Sequence, residues 1–378
     1  MLTFFSKKEH PLKLQEKEKL EKSGEKMEVE VNEQEKGEHE EEDKVLEDME
    51  TFEEIARELC KDNEDKKEVE EGAVQKERQL KPIEFLKALV KDNDSFQEYA
   101  LEQFKEINEQ EEERQELEEY QCLRALEERS LNRYYNILPF DKNRVELQDT
   151  RLGQGDYINA SYIVPSYDIP RVYIAAQGPL RNTIIDFWRT VVEQNVPLIV
   201  CLTPETEKEL EKCARYWPVG EKEMTIREGE VMVKLSNKER EENYREADCM
   251  IRKISVSFFY QKKIVKQVSV VQLQFLGWPD HGVPHKPNKL IAFIKLARTY
   301  YEDEKPILVH CSAGCGRTGT FCVLDCSEYF IRNQPCPHDP IACLTDEFRK
   351  QRTTMVQTQS QFNFCYGALL QFLDEVEQ

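Results

Sequence analysis

The stretch Pro306-Ile307-Leu308-Val309-His310-Cys311-Ser312-Ala313-Gly314-Cys315-Gly316-Arg317-Thr318 decides how this chain of 378 residues is interpreted. Its first five residues are a short apolar run typical of a buried strand, and Thr318 to Arg332 has the pattern of a helix. The loop between them carries small residues, with Cys311 and Arg317 at its ends. A loop of this kind lets backbone N–H groups converge on one point, beside the positive end of the following helix.

An anion in this loop would contact those N–H groups and the guanidinium of Arg317, which can bind two phosphate oxygens at once. The same field lowers the pKa of the Cys311 thiol, so the sequence predicts a thiolate nucleophile at the base of a phosphate cradle. Single residues have plainer explanations, since cysteine is often a small buried hydrophobe and glycine often makes a turn. Zinc is disfavoured because Cys311 and Cys315 have no second ligand pair at finger spacing. A Walker loop is disfavoured because Gly-Lys-Ser/Thr is missing from this stretch.

Charge separates the chain into two parts. The formal net charge is -21, and Glu16 to Glu71 is dominated by Glu, Lys and Asp. Such a segment buries too little apolar surface to offset the entropy of ordering. We therefore expect residues 1–79 to be a mostly disordered acidic tail and residues 80–378 to be one domain. The tail either only solvates the protein, or its carboxylates compete weakly with substrate for the basic pocket.

Composition also excludes several classes of protein. No window approaches the roughly 20 apolar residues of a membrane span, and the first five residues are too short for a signal-peptide core. The negative charge disfavours nucleic acid as a partner. The 12 cysteines are expected to be free thiols, because no secretory signal accompanies them. We expect a cytoplasmic protein, with access to the nucleus left open, that needs no metal or other cofactor.

Patterns elsewhere predict a mixture of helices and strands. A helix is expected to begin at Pro82 and end near Asn93, and a second is expected to be capped by Ser95. From Arg133 onward the chain has short β-like runs, which together with the helices indicate an α+β fold. The runs are Val172-Tyr173-Ile174-Ala175, Leu198-Ile199-Val200-Cys201-Leu202, Ile254-Ser255-Val256-Ser257-Phe258 and Val268-Ser269-Val270-Val271-Gln272-Leu273.

The loop resembles that of the protein-tyrosine phosphatase family of class I, cysteine-based, non-receptor type, which has the form His-Cys-Ser-Ala-Gly-x-Gly-Arg-Ser/Thr-Gly. The resemblance spans roughly residues 85–378. Further motifs occur in family order: Asn132-Arg133-Tyr134, Asp156-Tyr157-Ile158-Asn159-Ala160, Gln177-Gly178-Pro179, Lys212-Cys213-x-x-Tyr216-Trp217-Pro218, Trp278-Pro279-Asp280-His281-Gly282-Val283-Pro284 and Gln357-Thr358-x-x-Gln361. The resemblance implies a central mixed, twisted β-sheet flanked by helices.

The resemblance also implies an activity, the hydrolysis of phosphotyrosine in proteins through a cysteinyl-phosphate. Cys311 would attack the phosphorus and Asp280 would protonate the leaving tyrosine, a contribution of about 10²–10⁴ in rate. Gln357, helped by Gln361, would position the water of the second step. The remaining implied roles are Arg317 binding the phosphate, Thr318 helping the sulfur to leave, Glu207 orienting Arg317, His310 tuning Cys311, and Ser312, Ala313, Gly314, Cys315 and Gly316 forming the cradle. Ordinary structural pairing is the alternative for Glu207 and His310.

Selectivity is expected from the depth of the pocket. Tyr134 is similar to the family's aromatic wall, which admits the long phosphotyrosine side chain and leaves a short phosphoserine above the thiolate. Two positions depart from the family's common pattern. Asn136 stands where many members have Asp, so peptide binding is expected to be weaker or less selective. Thr354 stands where some have glycine, which argues against a second phosphate site despite the nearby Arg349 and Arg352.

Two other functions remain open at the level of the sequence. A phosphotyrosine-binding scaffold with an inactive domain would be expected to lack Cys311, Asp280 or Arg317, all of which are present. A phosphatase of dual specificity would have a shallower pocket and would not need Tyr134. The expected partners are proteins that contain phosphotyrosine, and the sequence specifies neither their identity nor the oligomeric state.

Overall fold

The structure, a computed structural model, describes residues 82–279, 282–333 and 339–377. The expected acidic tail of residues 1–79 and the expected proton donor Asp280 lie outside the described residues. No helix in the described part of the chain is long and apolar enough to cross a bilayer.

The centre of the molecule is a mixed β-sheet. Its strands and those of a small separate hairpin are β1 (Arg144–Glu146), β2 (Tyr157–Ile163), β3 (Tyr173–Ala176), β4 (Leu198–Cys201), β5 (Thr206–Glu207), β6 (Leu210–Glu211), β7 (Met224–Glu228), β8 (Val231–Asn237), β9 (Glu242–Tyr244), β10 (Cys249–Tyr260), β11 (Lys263–Phe275) and β12 (Ile307–His310). Ten strands form the main sheet in the order β1-β2-β3-β12-β4-β11-β10-β8-β7, with β9 paired to β10, and β5 pairs with β6. The four apolar runs expected to be strands fall on β3, β4, β10 and β11, although β10 and β11 extend well beyond the runs that predicted them.

Helices flank this sheet, as the predicted α+β class requires. They are α1 (Pro82–Lys91), α2 (Asn93–Arg114), α3 (Leu123–Glu127), α4 (Ile184–Glu193), α5 (Asn288–Arg298), α6 (Gly316–Asn333), α7 (Pro340–Arg349) and α8 (Gln359–Glu377). The expectation that Ser95 caps α2 was wrong. Asp92 is the cap, because its carboxylate accepts the N–H of Asp94 at 3.3 Å and the Ser95 hydroxyl at 2.5 Å. An ionised side chain one step outside the helix satisfies the free N–H groups and the helix dipole together.

The predicted strand before the loop is the middle of the parallel part of the sheet. Strand β12 pairs in parallel with β3 on one side and β4 on the other, and all four of its residues are buried. A strand buried on both faces is stabilised by about 1.5–3 kcal/mol for each large aliphatic side chain removed from water. The carboxyl end of β12 leads directly to Cys311, and α6 begins at Gly316. The fold therefore places the loop between a fully buried strand and a helix N-terminus.

Candidate active site

The loop after β12 curves back towards the Cys311 sulfur. The backbone N–H of Gly314 donates to the Cys311 sulfur at 3.2 Å. Gly314 has a φ of +74°, and a Cβ there would lie 2.2 Å from the carbonyl oxygen of Ala176. Only glycine fits both the left-handed backbone and this close approach. The curvature of the cradle is therefore encoded at Gly314.

Buried polar contacts lower the pKa of the Cys311 thiol. Burial by itself would raise that pKa, but the hydroxyl and backbone N–H of Thr318, the charge of Arg317 and the N–H of Gly314 outweigh it, and the pKa lies below its ordinary value. The buried Thr318 hydroxyl has no oxygen or nitrogen partner among the described residues, which leaves its proton available to the sulfur. These contacts favour a thiolate at neutral pH.

Arg317 is held in place by a carboxylate and two carbonyls. Its Nη1 donates to Glu207 Oε1 at 2.6 Å and to the Leu202 carbonyl at 3.2 Å. Its Nη2 donates to the carbonyl of Pro279 at 3.2 Å, and its guanidinium lies 5.6 Å from the Trp278 ring centroid. Glu207 is 8% exposed, so this is a largely desolvated ion pair. Arg317 thus links the phosphate loop to the segment that precedes Asp280.

A second arginine supports the loop from its outer side, a role that was not predicted from the sequence. Arg352 is fully buried and donates to the carbonyls of Gly314 at 2.7 Å and Ala313 at 3.0 Å. It also donates to Asn159 Oδ1 at 2.7 Å. Because these carbonyls are bonded on the outer side of the loop, the N–H groups of the same peptides are free to face the cradle. Nothing in the local sequence around Arg352 signals this contact, which joins segments far apart in the chain.

His310 is a neutral residue in this structure. Complete burial lowers the pKa of its imidazole to about 4, against an ordinary value of 6.5. Its Nδ1 lies 3.1 Å from the Cys311 carbonyl oxygen and its Nε2 lies 2.7 Å from the Tyr216 hydroxyl. Since a carbonyl can only accept, Nδ1 carries the proton and the Tyr216 hydroxyl donates to Nε2. His310 therefore fixes the start of the loop by hydrogen bonds and contributes no positive charge at neutral pH.

Tyr134 stands beside the loop and is bonded to it. Its hydroxyl lies 2.9 Å from Ser312 Oγ, which in turn donates to the Lys212 carbonyl at 2.9 Å. The tyrosine hydroxyl is therefore the donor to Ser312. The neighbouring Arg133 donates to the carbonyls of Gly178 and Pro179 at 3.1 Å and 2.8 Å. These bonds bring the predicted wall next to the cradle.

The rim next to Tyr134 is open to solvent. Asn136 is exposed, and Tyr135 between them is 91% exposed. A large aromatic side chain this exposed at the edge of a pocket is available to a bound peptide. Asn136 was predicted from the sequence and Tyr135 was not, although Tyr135 stands between two predicted site residues, Tyr134 and Asn136.

The segment that carries Gln357 reaches the other side of the cradle. A Cβ at Gly316 would lie 3.2 Å from the Cβ of Gln357 and 3.0 Å from the amide atoms of Gln361. The Gln361 oxygen accepts the backbone N–H of Gln357 at 2.9 Å. Gln357 itself is exposed, and Gln361 is buried. The structure therefore brings both glutamines to the mouth of the loop.

Arg349 and Arg352, the two cations considered for a second phosphate, are buried and occupied by the protein. Arg349 is 1% exposed and donates to the carbonyls of Met355 and Val356. Arg352 is bound to the phosphate loop as described above. Neither guanidinium is available to a second phosphate in this structure.

Among the described residues, no three His, Cys, Asp or Glu side chains are grouped closely enough to hold a metal ion. The site contains a thiol with a lowered pKa, a guanidinium paired with a carboxylate, and the backbone N–H groups of Gly314 and Thr318 directed at the sulfur. Together they define a class of enzyme site, a thiolate at the base of an oxyanion cradle.

Comparison with known proteins gives the family. The family model described as protein-tyrosine phosphatase matches residues 128–371. Human tyrosine-protein phosphatase non-receptor type 12 is 38% identical over 248 residues, which are 65% of this chain and 30% of that protein. This chain belongs to the protein-tyrosine phosphatase family, and the predicted family is confirmed.

Solved structures of relatives have the same fold. The catalytic domain of human protein tyrosine phosphatase non-receptor type 18 matches with a TM-score of 0.66 and 32% identity, covering 77% of this chain and 99% of that one. A second structure holds PTPN18 in complex with HER2 phosphopeptides, and it matches with a TM-score of 0.63 and 32% identity over 72% of this chain and 99% of that one. The predicted α+β fold with a central mixed sheet is confirmed.

Proposed function

We propose that this protein hydrolyses phosphotyrosine in other proteins through a cysteinyl-phosphate. The observation that carries the proposal is the Cys311 thiol, whose pKa is lowered inside a cradle that also contains the Arg317–Glu207 ion pair. A thiolate is a strong nucleophile, and the paired guanidinium is shaped to bind a phosphate as it transfers.

In the first step the Cys311 sulfur attacks phosphorus and the bond from phosphorus to the tyrosine oxygen breaks. Asp280, in its protonated form, gives its proton to that oxygen, whose conjugate acid has a pKa of about 10. Arg317 and the cradle N–H groups stabilise the charge that accumulates on the phosphoryl oxygens. This step leaves the phosphoryl group bonded to the Cys311 sulfur. It also releases the substrate protein with its tyrosine dephosphorylated.

In the second step water attacks phosphorus and the sulfur–phosphorus bond breaks. Gln357, with Gln361, orients the water, and the carboxylate of Asp280 accepts its proton. The Thr318 hydroxyl donates to the departing thiolate. The products are inorganic phosphate and the original thiolate, so the cycle balances and needs no cofactor.

Selectivity for tyrosine is proposed to depend on Tyr134. Its hydroxyl is bonded to Ser312 of the cradle, and its ring would line one side of a long flat substrate. A phosphoserine or phosphothreonine side chain is too short to carry its phosphorus from the rim to the sulfur. Exposed Tyr135 and Asn136 are proposed to contact the peptide on either side of the phosphotyrosine.

The substrates are proposed to be intracellular phosphotyrosine proteins. The support is the non-receptor designation of the relatives and the HER2 phosphopeptides bound to PTPN18. A cytoplasmic location is part of the same proposal. The domain is proposed to extend over residues 80–378, preceded by an acidic tail.

A comparison of phosphopeptides tests the proposal. Paired peptides that differ only in carrying phosphotyrosine or phosphothreonine should be hydrolysed at very different rates, with the phosphotyrosine peptide preferred by at least about 10³-fold, because a polar site rejects a substrate that leaves its groups unpaired. Equal rates would favour dual specificity. Binding of both the wild type and Cys311→Ser to the phosphotyrosine peptide, without turnover by either, would favour a scaffold.

A further inference from the structure

Helix α2 is bonded to the chain on both sides of Gln357. Before Gln357, the Glu111 carboxylate accepts the Thr353 hydroxyl at 2.8 Å and the Thr354 N–H at 2.7 Å. After it, the Gln359 side-chain amide donates to the Ala100 carbonyl at 3.0 Å. The segment that carries Gln357 is therefore hydrogen-bonded to helix α2 on both sides of Gln357.

The other oxygen of Glu111 acts through an arginine. Glu111 Oε2 accepts from Arg349 Nη1 at 2.9 Å. Arg349 then donates to the carbonyls of Met355 and Val356, both at 2.9 Å. Glu111 is 6% exposed and Arg349 is 1% exposed, so neither has water as an alternative partner. The carboxylate thus orients the guanidinium that holds the last two carbonyls before Gln357.

The held segment has an unfavourable backbone conformation. Thr354 has a φ of 54° and Val356 has a φ of 58°, and both side chains are branched at Cβ. Such residues seldom adopt the left-handed region, and they remain there only where surrounding contacts impose it. Without the contacts from Glu111, the backbone of Thr354 and Val356 is therefore expected to leave the left-handed region. This change would move Gln357 away from the cradle.

We propose that Glu111 is a positioning residue for the second chemical step, in which Gln357 orients the water that hydrolyses the cysteinyl-phosphate. This inference rests on the proposed function. Water forms a bond to phosphorus, the sulfur–phosphorus bond breaks, and the proton of the water passes to Asp280. Formation of the cysteinyl-phosphate does not involve Gln357, so the two steps respond differently to a change at Glu111.

Glu111→Gln tests the inference in the full chain, with Glu112→Gln as the matched control because Glu112 is an exposed neighbour on the same helix. The probe is p-nitrophenyl phosphate in a rapid-mixing experiment that separates the two steps. In Glu111→Gln we expect release of one p-nitrophenol per enzyme at a rate within about twofold of the wild type, followed by turnover about tenfold slower, since small displacements of positioning groups cost this much or more. Glu112→Gln should match the wild type. Equal slowing of both steps, or no slowing of either, would overturn the inference.

Hydrogen exchange gives a second readout that does not depend on activity. Amides of residues 353–358 should exchange at least about tenfold faster in Glu111→Gln than in Glu112→Gln, because local opening sets the exchange rate. Thr353→Val, which removes a single bond to Glu111, should show a smaller change in the same residues and covers the case in which Glu111→Gln does not fold. Unchanged exchange in these variants would contradict the inference. A wild type without turnover would instead refute the proposed function, and the exchange data would still decide the role of Glu111.

Discussion

Cys311 and Cys315 lie in the same loop, are both buried, and have thiols whose pKa values move in opposite directions. At the base of the cradle, Thr318, Arg317 and Gly314 lower the pKa of Cys311 despite burial. Burial and the neighbouring Cys311 raise the pKa of Cys315 to about 11, and a contact with Thr354 offsets this only in part. The difference teaches that burial alone makes a thiol inert, and that oriented donors and one guanidinium make it a nucleophile.

Exchanging each sulfur for oxygen should produce the largest contrast. Cys311→Ser is expected to lower kcat by at least about 10⁴-fold, because the nucleophile is removed while the cradle remains. Cys315→Ser, the matched variant, should retain kcat within about tenfold, since its sulfur takes no part in bond formation. Steady-state rates on a phosphotyrosine peptide measure both values, and calorimetry should show that Cys311→Ser still binds the peptide. Comparable rates for the two variants would remove the distinction between the two thiols.

Replacing the guanidinium of Arg317 should have the second-largest effect. Arg317→Lys keeps one positive charge but loses the planar pair of donors that meets Glu207 and the phosphate. We expect kcat/KM to fall by about 10²–10³-fold, the usual cost of a lost transition-state donor. Arg215→Lys is a suitable control, because Arg215 pairs with Glu205 on the surface. An equal fall of kcat/KM in Arg215→Lys would show that the effect of Arg317→Lys does not come from the active site.

The charge state of His310 decides whether a second cation lowers the pKa of the Cys311 thiol. The pKa of its imidazole is about 4 in the fold and 6.5 ordinarily, so its neutral form is favoured by the folded state. Its contribution to stability is present above pH 6.5 and is lost as the pH falls towards about 4. Between pH 7.5 and pH 5 the wild type should lose about 2 kcal/mol more unfolding free energy than His310→Gln does.

Urea unfolding at the two pH values measures this difference. His285→Gln, at an exposed histidine, serves as the control and should show the same pH dependence as the wild type. If wild type and His310→Gln lose the same stability on acidification, His310 is not buried in its neutral form, and it would then share with Arg317 the charge that acts on Cys311.

The smallest effect is expected from the hydroxyl beside the sulfur. Thr318→Val preserves shape and removes one donor to Cys311, so the pKa of the thiol should rise towards its ordinary value. Because the thiolate is the reactive form, activity is lost as the pH falls through this pKa, and the acid limb of kcat/KM should move to higher pH. At neutral pH we expect a loss of about tenfold, the value of one hydrogen bond to a charged group. A rate loss without a shift of the acid limb would limit Thr318 to assisting departure of the sulfur.

The local sequence was sufficient to predict the phosphate loop itself. Strand β12, the helix that follows it, and the small residues from Ser312 to Gly316 are consecutive, so their geometry is a local property. The predicted start of α6 at Thr318 was two residues late, because Gly316 and Arg317 already belong to the helix. The loop and the helix share residues, and composition alone does not separate them.

The supports of the loop could not be predicted in the same way. Arg352 reaches Gly314 and Asn159, and Glu111 reaches Arg349 across more than 200 residues of sequence. A charged residue in a helix as polar as α2 is ordinarily read as solvent-exposed, and only the packed structure shows that Glu111 is buried. Such roles depend on tertiary contacts that periodicity does not encode.

The most direct test of the account is the titration of the two thiols by their thiolate absorbance. The difference between wild type and Cys311→Ser, followed from pH 4 to pH 10, should show one thiolate that forms with a midpoint clearly below the ordinary thiol value of about 8.5. The difference between wild type and Cys315→Ser should show no thiolate forming below that pH. A Cys311 midpoint at or above about 8.5 would contradict the claim that the loop holds a thiolate ready for attack on phosphorus.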